Sequence, residues 1–252
     1  MIQLLSLEFY KIRRKRLFLM ATLFLGVELA GAFMAVSMSL ARHPDQEEWM
    51  PLLATLSSMN GLFLPILSAV CVSRISDMEH KGNTWKLLLS VSVRRGQLYL
   101  AKYICACVIL LGVSLLQIAA AAAFGIGKGL WESFPLGLMV QFMAGTLLTN
   151  MVIIALQQWL SLAVKNQAFA LCLGMLGGFF GMTGDFFPQA VRQYFIWSNY
   201  NGLSPVRQSY VDNAIQFTAI DGGALLPQAS ILVVLGVVIY IAGSRHISRQ
   251  DI

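Results

Sequence analysis

The side chains able to do chemistry in this chain are few, and their spacing excludes most of it. Glu79 and His80 stand together as in a zinc-hydrolase helix, but no second histidine follows at the spacing a ligand pair needs. His43, His80 and His246 are far apart in sequence. Cys105 and Cys107 sit two residues apart, which on a helix turns them about 200° away from each other. With Cys71 and Cys172 they fall in or beside apolar runs, where a small packing role suits them better than a metal pair or an extracellular disulfide framework. Gly125-x-Gly127-Lys128-Gly129 resembles a phosphate loop only superficially, because the Ser or Thr after the lysine and a preceding strand are both missing. No GxSxG turn occurs, and no apolar run holds a pair of carboxylates. No cofactor is expected on this chain, no metal site, and no ATP hydrolysis of its own.

The polar residues that remain lie inside apolar stretches. Glu28 stands eleven residues past Leu17, about 16 Å along a helix and near the middle of a bilayer. A carboxylate there is expensive unless it faces protein, water or a partner group. It is therefore a candidate for a substrate path or gating contact, or a protonated acid bonded to a neighbouring helix. Pro65 removes the hydrogen bond to the Gly61 carbonyl, so a kink is expected near Asn60 and Gly61, as a packing adjustment or as a hinge. Asn60, Pro65 and Asn150 join Glu28 as candidate path or gating residues. Gln117, Gln141, Gln157 and Gln158 are explained equally well by hydrogen bonds between helices.

These residues need helices to position them, and the composition supplies a membrane chain. Of 252 residues, 57% are hydrophobic and only 12% charged, and the mean hydropathy is +0.69. Soluble domains carry roughly 25% charged residues. A membrane span takes about 20 apolar residues, and six runs approach that length: 17–40, 52–73, 103–124, 136–163, 168–184 and 228–243. The expected fold is an all-α integral membrane domain over 1–252, with six transmembrane helices. Residues 1–16 form an amphipathic interfacial helix with Ile2, Leu5, Phe9 and Ile12 on one face. A cleaved signal peptide fits poorly, because the first apolar run is too long for one. Gly174, Gly177, Gly178 and Gly181 make two interleaved GxxxG pairs, which allow close helix contact. Residues 185–227, aromatic in the stretch PQAVRQYFIWSNY, suit the outer interface or a re-entrant turn.

Charge sets the orientation. Placing both termini in the cytoplasm leaves only Arg42, Lys128, Arg192 and Arg207, of eighteen Lys and Arg, on the outside. The net charge of +6 thus reflects membrane orientation and lipid contact, and no nucleic-acid partner is implied. The same topology makes residues 74–102 cytoplasmic. This segment carries Arg74, Lys81, Lys86, Arg94, Arg95 and Lys102, the densest polar stretch in the chain.

Within that segment Glu79, Gly82 with Thr84, Leu87 and Leu88, Ser92-Val93-Arg94-Arg95 and Lys102 resemble the cytoplasmic stretch of type-2 ABC transporter permeases. That family has an acidic residue, a Gly-Thr element, a leucine pair, a Pro-Val-Ser-Arg turn and a lysine opening the third span. Here Ser92 and Arg94 stand for the usual Pro and Ser, and Asn83 separates Gly from Thr. The resemblance implies a coupling helix docked on a cytoplasmic ATPase, with Glu79, Gly82, Thr84, Trp85, Leu87, Leu88, Arg94 and Arg95 at the contact. It further implies two ATPase copies holding ATP and Mg, and a second permease subunit, alike or homologous, in the plasma membrane. The chain is most similar in form to permeases of bacitracin and lantibiotic self-protection, so the implied substrate is an antimicrobial peptide. Another amphipathic drug or lipid, or a non-transporting scaffold or sensor, are the alternatives. A secondary transporter would want several midplane ionisable groups, and this chain offers Glu28.

Overall fold

The computed structural model describes residues 2–14, 16–42, 49–82, 95–130, 134–164, 166–187, 195–211 and 214–249. In hydrocarbon a backbone must satisfy its own hydrogen bonds, and the apolar runs do so as helices. They are α1 (Ile2–Arg14), α2 (Leu17–Arg42), α3 (Trp49–Gly82), α4 (Arg95–Gly127), α5 (Leu136–Ala163), α6 (Gln167–Thr183), the single-turn α7 (Asn199–Gly202) and α8 (Gly222–Arg249). Short 3-10 turns stand at Gly184–Phe186 and Ile196–Ser198. Among the described residues, α2, α4, α5, α8 and residues 49–76 of α3 are long and apolar enough to cross a membrane.

The sixth expected span is shorter than the others. The 17 residues of α6 reach about 26 Å, against roughly 30 Å of hydrocarbon. It starts level with Ser73 of α3, whose hydroxyl donates to Gln167 Oε1 at 3.1 Å. It ends where Gly181 meets Gly61. Trp49, the start of α3, is twelve residues further on, so α6 covers α3 only in part. The chain then completes the bundle with the turn at 196–198, α7 and a coil to Val206. The last residue of the aromatic stretch, Tyr200, is buried, as are Leu203, Ser204 and Val206 after it.

One element departs from the all-α expectation. Strands β1 (Val206–Val211) and β2 (Ala214–Ala219) pair antiparallel, from Val206 opposite Ala219 to Val211 opposite Ala214. VRQSYV and AIQFTA are rich in β-branched and aromatic residues, but at six residues each they leave no hydropathy signal beside long spans. Val206 is buried and Phe217 packs on the same cluster as Trp49, Leu53 and Phe142.

Helix α3 is the centre of the bundle and touches α2, α4, α5 and α6. Its tightest neighbour is α6, as the glycine spacing predicts. An added Cβ on Gly178 would meet the Leu62 carbonyl, one on Gly174 would meet Ala69, and one on Gly181 would meet the Gly61 carbonyl. Gly177 faces the indole of Trp197 instead. Pro65 lies within α3, and its carbonyl is the next neighbour of Gly174. It therefore belongs to this helix contact.

Both termini reach the same end of the bundle. Leu4 of α1 and Ile247 of α8 share a cluster with Leu98 and Tyr99 of α4 and Leu162 of α5. The apolar face read for α1 is turned to the protein: Ile12 is fully buried, and Leu5 and Phe9 pack on the main core. At the opposite end, Trp49 donates through Nε1 to the Leu130 carbonyl at 3.0 Å, with its ring edge-on to Phe134. The large apolar side chains of α2 and α8 that point outward, such as Leu23, Val27, Ile231 and Val234, are exposed within the chain.

Candidate functional site

The first arrangement is at the terminal end. Helix α3 runs on from its apolar part through Glu79 to Gly82, and α4 opens at Arg95. Two helices of the bundle thus bracket the segment singled out by its charge and sequence. Thr84, Trp85, Leu87, Leu88 and Arg94 lie outside the described residues, as do the side chains of Glu79 and Lys81.

A buried ion pair holds this bracket. Lys102 of α4 donates to Glu8 Oε2 of α1 at 3.0 Å and to the Ile75 carbonyl of α3 at 3.3 Å. Both side chains are 1% exposed, and Glu8 Oε1 also takes Lys11 at 2.9 Å. One ammonium therefore ties the first helix, the last apolar turn of α3 and the start of α4 at a single point. Such a pair gains little net stability over an apolar one, but losing one member is severe. It fixes the register at which α1, α3 and α4 meet in this structure. Sequence reading found Lys102 but missed Glu8. The available signal was an acid at the helical phase of Leu5 and Ile12.

The second arrangement crosses the bundle interior. Gln117 of α4 donates through Nε2 to Glu28 Oε1 of α2 at 2.8 Å and to Asn60 Oδ1 of α3 at 2.7 Å. Asn60 Nδ2 lies 3.4 Å from Thr146 Oγ1 of α5. Four helices are joined by one amide network around a carboxyl that is 1% exposed. Glu28 Oε2 and Gln117 Oε1 have no hydrogen-bond partner among the described residues. Glu28 and Asn60 are thus brought together as neighbours of Gln117. Asn150 goes elsewhere, accepting from the Tyr200 hydroxyl at 2.5 Å, one turn along α5 from Thr146.

The same line of polar groups continues toward the hairpin. Ser57, one turn before Asn60, has its hydroxyl 2.8 Å from Ser204 Oγ and 2.9 Å from the Leu53 carbonyl. Ser204 Oγ accepts from the Val206 amide at 3.2 Å, and Gln228 of α8 donates to Asn199 Oδ1 at 2.8 Å. These contacts surround the stretch where α6 has already ended. Tyr200, Thr146 and Ser204 were not singled out from sequence, because only the fold shows that the coil after α6 returns into the bundle.

The terminal-end bracket and the polar interior both belong to the part of the chain that a family description covers. The model of the ABC-2 family transporter proteins matches residues 4–181, more than two thirds of the 252 residues. No individually curated protein matches the chain. The matched stretch runs from the first turn of α1 to the last turn of α6, and holds Glu8, Lys102 and the whole Glu28–Gln117–Asn60–Thr146 network. This multi-pass membrane protein belongs to the ABC-2 transporter family and is a membrane component of a transporter of that kind.

Proposed function

We propose that the chain is the permease subunit of an ATP-driven exporter in the plasma membrane, clearing an amphipathic antimicrobial peptide of the lantibiotic or bacitracin kind. The terminal end faces the cytoplasm, as the basic residues gathered there favour. Two copies of a cytoplasmic ABC ATPase, holding ATP and Mg, work on it together with a second permease, identical or homologous. Glu79, Gly82, Thr84, Trp85, Leu87, Leu88, Arg94 and Arg95 form the contact with the ATPase.

The observation that carries this reading is the Glu8–Lys102–Ile75 tie. A push on a segment between α3 and α4 does work only if both helices are rigid and locked at their base, and this ion pair locks them. From there α3 leads directly to Asn60 and α4 to Gln117. Movement at the terminal end is thereby delivered to the network around Glu28, which opens or closes the interior.

The test is transport. The complex purified with its ATPase is reconstituted in vesicles loaded with a fluorescent cationic amphipathic peptide. ATP-dependent removal of the peptide, lost in Glu8→Gln and in Lys102→Met, is the expected result. ATP hydrolysis without any peptide movement would replace the exporter by a scaffold or sensor.

A further inference from the structure

The end of α6 leaves an opening that neither the terminal-end bracket nor the Glu28 network uses. An open pocket of about 110 Å³ lies beside the start of α3, lined by Ser57, Ser58, Asn201, Arg207 and Gln208 with the apolar Ala54 and Val206. Along α3 these positions stand five to nine residues past Trp49, about 8 to 14 Å inside the bundle end. At this depth the wall opposite α3 is coil, the single turn α7 and the first residues of β1. Irregular backbone at membrane depth is tolerated where protein buries it or where it lines a polar cavity, and interrupted helices are where membrane transporters place ligand sites.

The described lining is polar and carries one positive charge. Among the described residues it contains one guanidinium, two hydroxyls and two amides, and no carboxylate. Ser58 Oγ is 3.5 Å from Asn201 Oδ1, and Ser57 is fixed by Ser204, so the floor is built from side chains held by the bundle. Arg207 is the second residue of β1, near the open end of the hairpin, opposite Thr218 of β2. An exposed guanidinium over a floor of hydroxyls and amides is complementary to a phosphate, which takes paired N–H donors from arginine and further bonds from neutral groups.

We infer that this pocket, at the end of the bundle opposite the coupling segment, is a binding site for a phosphate ester, with Arg207 as its charged contact and Ser57, Ser58 and Asn201 as its floor. A lipid headgroup and a free phosphate share that chemistry. The site is independent of which compound the transporter moves.

The full chain, purified in detergent, is titrated with phosphatidic acid, with diacylglycerol and with inorganic phosphate, and bound ligand is read by native mass spectrometry. Phosphatidic acid is expected to bind and diacylglycerol not. Arg207→Gln weakens binding by about tenfold or more, the scale of a lost charge-assisted contact, while Arg207→Lys retains most of it. Displacement of the lipid by inorganic phosphate assigns the site to the anion alone, and retention assigns it to the lipid. Equal binding of phosphatidic acid and diacylglycerol, or equal binding by wild type and a folded Arg207→Gln, overturns the inference.

Discussion

Lys102 and Glu8 are each 1% exposed and pair inside the protein, with Lys11 as a second partner of Glu8. Removing either member takes away the closest buried opposite charge of the other, and Glu8→Gln or Lys102→Met alone is expected to cost up to about 3–5 kcal/mol. The double variant Glu8→Leu with Lys102→Met should recover most of that loss, because an apolar pair of similar volume is nearly neutral. Denaturant titration of the detergent-solubilised protein checks both. Coupling is a separate readout: the double variant should be stable yet poorly coupled, since the tie to the Ile75 carbonyl is gone. Glu28 is in a different position. Its bonded oxygen only accepts, from Gln117, so Glu28→Gln keeps an acceptor and should leave stability within about 1 kcal/mol. Glu28→Leu removes it, and a double-mutant cycle with Gln117→Leu should return a coupling of about 0.6–1.7 kcal/mol, the range for hydrogen bonds between membrane helices.

Among the elements, α3 and α6 make the closest contact of the bundle. Their approach is set by glycine, and an added methyl at Gly61 would stand 2.7 Å from the Gly181 carbonyl group. Gly61→Ala and Gly181→Ala are expected to cost about 1–3 kcal/mol each by overpacking. Gly26→Ala and Gly112→Ala meet open space and should be neutral or stabilising by up to about 1 kcal/mol through helix propensity. Thermal unfolding of the four variants separates the two classes. The glycine spacing made this contact legible from sequence, as did the span at 136–163, which α5 reproduces residue for residue. The early end of α6 was not legible. Residues 168–184 are as apolar as a span, and only the packing of Gly181 on Gly61 shows how far along α3 they reach. The hairpin was hidden for the related reason that six-residue strands of mixed polarity carry little pattern of their own.

At the scale of the whole molecule, two sets of polar contacts stand at different depths of the bundle with an apolar layer between them. The Glu8–Lys102 tie lies at the terminal end, and Asn60, Gln117 and Glu28, followed by Ser57 and Ser204 toward the hairpin, lie beyond Leu67, Cys71, Ile109 and Leu110. Glu28, Asn60 and Gln117 were visible in the sequence as isolated polar groups in apolar runs and Lys102 as the end of the charged segment, whereas Glu8, Ser57 and Ser204 were not singled out. The connection of the first three was not legible, because Glu28 and Gln117 are 89 residues apart, and pairing at that distance is fixed by helix packing alone. Membership of the ABC-2 family places these contacts in a transporter component and implies association with an ABC ATPase, which on the reading proposed above docks at the terminal end. The most direct measurement of that association is co-purification of the tagged chain in mild detergent with the ATPase expressed beside it. The wild type should retain the ATPase, and Trp85→Ala combined with Leu88→Ala, or Glu79→Arg alone, should release it while the permease stays folded. Release by neither variant would contradict the assignment of residues 74–102 as the coupling segment, and a wild type that retains no ATPase would contradict the account as a whole.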